Sequence, residues 1–337
     1  MSTKMVTTYS MWSKFRNCRK ACEWRYLKEL VPLEREHSLH FGAAIHECLE
    51  LWHRHRDLDR VVEHINMLFR ERQAVERQRA DWHLAMGMMK GYAARYPDEE
   101  FEVVALEKTF EGPIVNPATG ASSRSFTLAG KVDGIVKMSG QYFLLEHKTA
   151  SLIDSGYLER LWGDFQIQLY CWYIEQTFGW RISGIVYNVL TKAKLRQKQG
   201  ETETEYEARC AELITKSKSG RTTAKRRLPE TDDEYQARLE EWYAQPEAFH
   251  REMLFVSRDQ FDTLRAELWE LTRSFLDARR RGVFYQNTSQ CFTYGRPCPY
   301  FALCRSGGSP NVIENFYRQE APHTELCEDA EAEKPVF

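Results

Sequence analysis

The chain has 337 residues, 42% hydrophobic and 28% charged, with 47 lysines and arginines against 49 aspartates and glutamates for a formal net charge of −2. That length suits one large domain or two modest ones, and the near-neutral balance excludes overall basicity as a means of attracting nucleic acid, so any such site must be a local patch. No stretch approaches the roughly 18–20 apolar residues of a membrane span, and the opening MSTKMVTTYSMWSKFRNCRK lacks the apolar run of a secretion signal. The expected location is the cytoplasm, where the nine cysteines stay reduced and those that cluster read as metal or cluster ligands.

Residues 8–29 mix aromatics with Arg and Lys at helical spacing. A second helix is expected over 41–55, with Ile45, Leu49 and Trp52 on one face and His46 and Glu50 beside it, and a third within 60–95. Cys48 and Cys171 fall inside helical apolar patterns and read as small core residues. Short β-branched or aromatic segments follow at 101–112, 125–138 and 141–149, the last two joined by Ser139-Gly140 as a hairpin. A helix at about 155–178 and a strand near 181–189 complete a mixed α/β core.

Residues 193–243 read as an insertion with an internal echo, Glu201 to Arg209 against Glu230 to Arg238. In each copy a Thr precedes a Glu by three residues, the mark of a capping box opening a helix. Between the two helices lies a basic segment, Lys216 to Arg227, which is either a solvated loop or a phosphate-binding patch. A helix at about 258–281 precedes a cysteine-rich segment. The expected organisation is a helical region over 1–100, a mixed α/β core over 101–192, the insertion over 193–243, a helix and cysteine loop over 244–310, and a mobile acidic tail over 311–337.

Three positions suit one metal site. Asp133 lies in GKVDGIV, and thirteen residues later Glu146 and Lys148 occur in LLEHKT on the strand that would pair with it. Side chains two apart on a strand share a face, and the hairpin can bring Asp133 alongside. Two carboxylates bind Mg²⁺ or Mn²⁺ while leaving positions open for water and a phosphate oxygen, and a neighbouring lysine stabilises developing anionic charge. An exposed salt-bridged hairpin is the alternative reading of this spacing.

With its neighbours, the pattern resembles the RecB-like branch of the PD-(D/E)XK nuclease superfamily, over residues 8–55, 125–190 and 285–306. The resemblance implies a restriction-endonuclease-like α/β core, a small mixed sheet flanked by helices. It implies that His46, from the Gly42-x-x-x-His46 helix, joins Asp133 and Glu146 at the metal, and that Gln166 and Tyr170 contribute polar groups beside Lys148. Outside that resemblance, His46 reads as an ordinary helical histidine and Gln166–Tyr170 as a surface pair.

Near the carboxyl end stands Cys291-x6-Cys298-x5-Cys304, in a segment whose Gly-Arg-Pro and Pro residues favour a loop. A fourth thiolate could come from Cys18 or Cys22. The resemblance to iron–sulfur nucleases of this group selects Cys18, eight residues before Tyr26, and implies a 4Fe–4S cluster on Cys18, Cys291, Cys298 and Cys304, although the late spacing is more open than the usual C-x2-C-x5-C. Structural zinc is the alternative.

The resemblance further implies a DNA substrate, a single strand or a processed end cut exonucleolytically, in recombination, repair or replication of the phage type. A helicase, annealing protein or recombinase would act beside it, since no ATP-binding G-x-x-x-x-G-K-[ST] motif occurs. Trp12, Phe15, Arg16, Arg19, Lys20, Trp24 and Arg25 could line the strand by stacking and phosphate contact, or divide into core aromatics and a wet basic face. The rival functions are a non-catalytic DNA-binding or scaffold protein on the same fold and a different metal-dependent phosphoesterase.

Overall fold

The computed structural model describes residues 4–33, 37–69, 76–293 and 295–326. In chain order the elements are β1 (Met5–Thr7), α1 (Tyr9–Asn17), α2 (Arg19–Cys22), a π-helical turn (Glu23–Leu27), β2 (Leu30–Pro32), α3 (His37–His55), α4 (Leu58–Phe69) and α5 (Glu76–Arg95). Next come β3 (Glu102–Val115), β4 (Ser122–Met138), β5 (Gln141–Ala150), α6 (Ser155–Leu161), α7 (Phe165–Phe178), β6 (Ile182–Thr191), α8 (Glu203–Lys216) and α9 (Asp232–Tyr243). The remainder is β7 (Phe249–Phe255), α10 (Gln260–Arg281), the two-residue strands β8 (Phe292–Thr293) and β9 (Arg296–Pro297), α11 (Phe301–Arg305), α12 (Pro310–Phe316) and β10 (Tyr317–Gln319). Among the described residues no helix is long and apolar enough to cross a membrane.

The architecture is the expected mixed α/β one, a central mixed sheet flanked by helices. β4 pairs antiparallel with β3 and β5 and parallel with β1; β5 and β6 run parallel, and β7 closes the path antiparallel to β6. Strands β1 and β7 were not foreseen, and they carry the sheet beyond the expected 101–192 limits on both sides. Each is short and pairs only with residues distant in sequence, so no local pattern marks it. A core of Trp12, Phe15, Phe126, Tyr170, Ile185 and Phe275 fills one region, and Ile45, Leu49, Met88, Tyr92 and Tyr243 fill a second.

Two expected helices are divided. The amino-terminal one breaks at Cys18, whose extended backbone (φ −158°, ψ 111°) separates α1 from α2. The segment 155–178 breaks at Gly163–Asp164, and the Asp164 carboxylate caps α7 through the Gln166 N–H. The region 60–95 holds α4 and α5. The tail also differs from expectation: Pro310–Phe316 is helical, and β10 pairs antiparallel with β2. Pro310 starts that helix, and Tyr317 buries its ring against Tyr300, so both stretches have partners despite their polar composition. The final residues of that expected tail, 327–337, lie outside the described residues.

The echo in 193–243 is structural as well as sequential. Both capping boxes form, Thr202 with Glu205 and Thr231 with Glu234. Tyr206 Oη donates to Ala224 O at 3.0 Å, Arg209 Nη2 to Lys225 O at 2.8 Å, and Arg227 N to Glu201 Oε2 at 3.0 Å. The equivalent set in the other copy is Tyr235 Oη to Leu195 O at 3.0 Å, Arg238 Nη2 to Arg196 O at 2.8 Å, and Lys198 N to Glu230 Oε2 at 2.8 Å. Each helix therefore clamps the extended segment that leads into the other helix. Within the basic segment Arg226 and Arg227 turn to Glu203 and Glu201, Lys216 to Glu212, and Lys218, Arg221 and Lys225 are exposed.

Hydrogen bonds from Arg209 and Arg238 hold the Glu201 and Glu230 carboxyls down at about 2 from an ordinary 4.5. A depressed carboxylate stabilises the fold above its unfolded value and loses that contribution as pH falls through its folded one. The clamped segments 195–198 and 224–227 should therefore lose amide-exchange protection between pH 4.5 and 2, after correction for intrinsic rates. Equal protection at pH 5 and pH 2.5 would refute this account of the clamps.

Candidate active site

The β4–β5 hairpin turns on Ser139 and Gly140, both with positive φ (47° and 81°), as a two-residue turn compatible with strand twist requires. Its ladder runs from Met138 opposite Gln141 to Gly134 opposite Leu145, so Asp133 and Glu146 are the next residues along their strands. Gly130 permits this strand to pass close under α7, because a Cβ there would lie 2.6 Å from Phe110 Cζ and 3.1 Å from Tyr170 Cε1.

Asp133 accepts from the His147 N–H at 2.7 Å through Oδ2, and His46 Nδ1 lies 3.2 Å from Oδ1. Lys148 Nζ donates to Glu146 Oε1, and Gln166 Nε2 reaches the same oxygen at 3.4 Å. Tyr170 is buried one turn along α7 from Gln166, edge-on to Phe110. The structure thus brings together all the residues expected of the site: His46, Asp133, Glu146, Lys148, Gln166 and Tyr170. Among the described residues no three His, Cys, Asp or Glu side chains converge in a ready-made ligand set. Glu146 is turned to Lys148 and Gln166, while Asp133 is turned to His46 and a backbone N–H.

The charges explain this arrangement. Burial pushes Asp133 up, but His46, His147 and Lys148 together outweigh it and leave the carboxyl well below its ordinary range. Burial dominates at Glu146, whose carboxyl is raised despite Lys148. Burial lowers the Lys148 ammonium, but Glu146 and Asp133 more than reverse that and raise it. One carboxylate stays charged against an imidazole, and the other shares a cation.

Residues unmarked in the sequence reading lie beneath. His147 sits between Glu146 and Lys148, so strand alternation turns it to the opposite face. There Asn188 Nδ2 lies 3.0 Å from His147 Nδ1 and donates to Tyr92 Oη at 3.0 Å, which also accepts from Arg251 Nη2 at 3.0 Å. Tyr92 Oη lies 3.3 Å from His53 Nε2, and the His53 ring stacks on His147 with centroids 5.2 Å apart. Burial drives His147 down to about 3 and His53 to about 2, so both are neutral. The i,i+7 spacing of His46 and His53 on α3 was the available signal for this layer. Half-buried at the edge of the site, Glu107 has φ +49°, pairs with Lys131 at 2.7 Å, and is raised to about 7 by burial, with Asp133 and Glu50 adding to the rise.

The two early cysteines separate. Cys22 is fully buried in the main core with its Sγ 3.8 Å from Met11 O. Cys18, Cys298 and Cys304 pack against one small cluster containing Trp24, Tyr300 and Leu303. Burial raises the Cys298 and Cys304 thiols, and each also feels the charge of Cys18 and Cys291. Asn287 N–H donates to Cys18 Sγ at 3.4 Å, and Cys298 N–H to Cys291 O at 2.7 Å.

With this geometry in place, the family can be named. The chain matches the model of the PD-(D/E)XK nuclease superfamily over residues 7–305. It belongs to that superfamily. As a PD-(D/E)XK protein it is a nuclease, a phosphodiester-cleaving hydrolase with DNA as its ligand, and nucleases of this superfamily generally use Mg²⁺ or Mn²⁺. A putative exonuclease from Eubacterium rectale aligns over 90% of this chain and 93% of its own, at 10% identity and a TM-score of 0.45. SSO0001 aligns over 72% of this chain and 77% of its own, at 13% identity and a TM-score of 0.26. Likenesses so remote add nothing to the family match. No curated protein matches the chain.

The layer beneath the PD-(D/E)XK site depends on Arg251, which pairs with Glu99, a carboxylate only 2% exposed. Arg251→Ala should cost about 3 kcal/mol in urea denaturation, the low end for breaking a buried pair, because Arg56 remains 3.7 Å from Glu99. A loss below about 1 kcal/mol would show that the pair behaves as a surface one.

Proposed function

We propose that this nuclease is a metal-dependent exonuclease of the RecB-like branch, acting on single-stranded DNA or DNA ends. The supporting observation is the juxtaposition of Asp133, held by His46 and the His147 N–H, with the Glu146–Lys148 pair across one hairpin. The donor set, two carboxylates and an imidazole, suits Mg²⁺ or Mn²⁺. In this reading Asp133 and Glu146 hold the cation and His46 stands beside them. Bound there, the cation supplies Lewis-acid stabilisation of charge building on the phosphate.

Lys148 then places its ammonium against the phosphate oxygens, and Gln166 orients polar groups beside Glu146. Tyr170 lies behind them as a buried support. In this reading residues 101–192, joined by β1, β7 and His46 of α3, form the catalytic body, with 193–243 as an appended arm. In recombination, repair or replication, a helicase, annealing protein or recombinase would present the strand in the cytoplasm.

End-labelled single- and double-stranded DNA incubated with Mg²⁺ or Mn²⁺ tests the reading. Cleavage should proceed from the ends and cease with chelator, and Asp133→Asn or Lys148→Ala should lower kcat by at least about 10²-fold. Undiminished cleavage by Asp133→Asn would assign the activity elsewhere, and hydrolysis of small phosphoesters with DNA left intact would favour another phosphoesterase.

We further propose that Cys18, Cys291, Cys298 and Cys304 hold a 4Fe–4S cluster. The fit rests on Cys18, Cys298 and Cys304 against one apolar cluster, Cys291 tied to Cys298 by a backbone hydrogen bond, and a backbone N–H aimed at the Cys18 sulfur, as cluster sulfurs often accept. The cluster would act structurally, tying the break after α1 to the carboxyl-terminal loop. Anaerobically purified protein should be brown, with about four iron atoms per chain, and Cys18→Ser should lose them while Cys22→Ser keeps them. A colourless preparation loaded with zinc would replace the cluster assignment by a Cys₄ zinc site.

A further inference from the structure

Beside Lys148 lies a pocket of about 500 Å³, walled by α1, α6 and the turn into α7. Lys148 is the only one of the six site residues in its lining, so the pocket opens directly onto the reacting end of the site. Its volume falls in the range that accepts one small organic ligand.

The walls are aromatic and cationic apart from Asp164, whose carboxylate is taken up in capping α7 through the Gln166 N–H. The Tyr9 and Phe165 rings lie 6.3 Å apart, and the Arg16 guanidinium lies over Phe165 at 5.0 Å. Across the pocket stands Arg160, exposed, and among the described residues neither arginine makes an ion pair. The aromatics proposed from sequence to meet the strand, Trp12, Phe15 and Trp24, are instead core residues. Of the basic residues named with them, Arg19 lies over Phe15 and Tyr285, Lys20 pairs with Glu23, and Arg25 is bonded to Glu320 and Ala321, whereas Arg16 faces this pocket.

We propose that this pocket is the subsite for the nucleotide flanking the scissile phosphate, held unstacked. Its base lies against Phe165 and Tyr9, and its outer phosphate is held between Arg16 and Arg160. The inference rests on the nuclease reading and deepens it. Aromatic faces accept any base, unpaired guanidinium groups hold phosphate oxygens, and a nucleotide at this position has its inner phosphate at Lys148. A paired base cannot enter without leaving its stack, so the pocket selects single strands and frayed ends.

The test uses the full chain and single-stranded oligonucleotides with Mg²⁺ or Mn²⁺. The double variant R16A/R160A should raise KM about tenfold with kcat changed less than threefold, and should flatten the salt dependence by about one phosphate contact. Gly163→Trp plugs the pocket from its rim, where an added Cβ meets only Arg160 O at 4.0 Å, so the protein should fold, and KM should rise similarly. A deoxynucleoside monophosphate should inhibit the unmodified protein competitively and lose that effect in both variants. Unmodified protein that cuts no DNA would defeat the nuclease reading. Cleavage with KM unchanged in both variants, or inhibition unchanged, would overturn the pocket alone.

Discussion

Asp133 and Glu146 are two buried acids at adjacent positions of one hairpin, and burial raises the cost of charging either. Two like charges held close together away from water repel strongly, so such a pair persists only if positive charge is built in beside it. His46 and Lys148 supply it from opposite directions, one from a helix across the site and one from the same strand. The division of labour follows: Asp133 stays ionised against the imidazole, and Glu146 shares the ammonium.

Holding that cluster requires a rigid floor. The His147 N–H bonded to Asp133 belongs to a residue whose ring is locked from below by Asn188 and stacked on His53. Tyr92 Oη connects this layer to Arg251 and Glu99, which ties the hairpin to α3, α5 and β7. At the other end, Thr8 caps α1 and the break at Cys18 stops it, so that Arg16 and Asn17 reach the pocket mouth while Cys18 turns toward the carboxyl-terminal loop. The cysteine group and the pocket beside Lys148 therefore meet at the end of one short helix.

Much of the site was legible because local rules carry it. The E-x-K spacing places Glu146 and Lys148 on one face by strand periodicity, Ser139-Gly140 dictates the turn, and both Thr-x-x-Glu boxes start their helices. His147 was passed over because alternation hides it beneath the face that was being read. Cys18 and Cys22 could be separated by family resemblance but not by pattern, since both sit in one basic-aromatic stretch; only the backbone break at Cys18 decides which sulfur leaves the core.

The sequence alone determined what periodicity, turn chemistry and caps can specify: the hairpin, the order of helices and strands, and the side chains that share a face. These depend on contacts within a few residues, so they are written locally. The tertiary structure decided which distant groups meet: β1 and β7 in the sheet, His46 over Asp133, the network under His147, and each helix of the arm gripping the extended segment that leads into the other. Those meetings join residues 41 to 159 positions apart in the chain, or exchange contacts between repeats, and no local pattern encodes either.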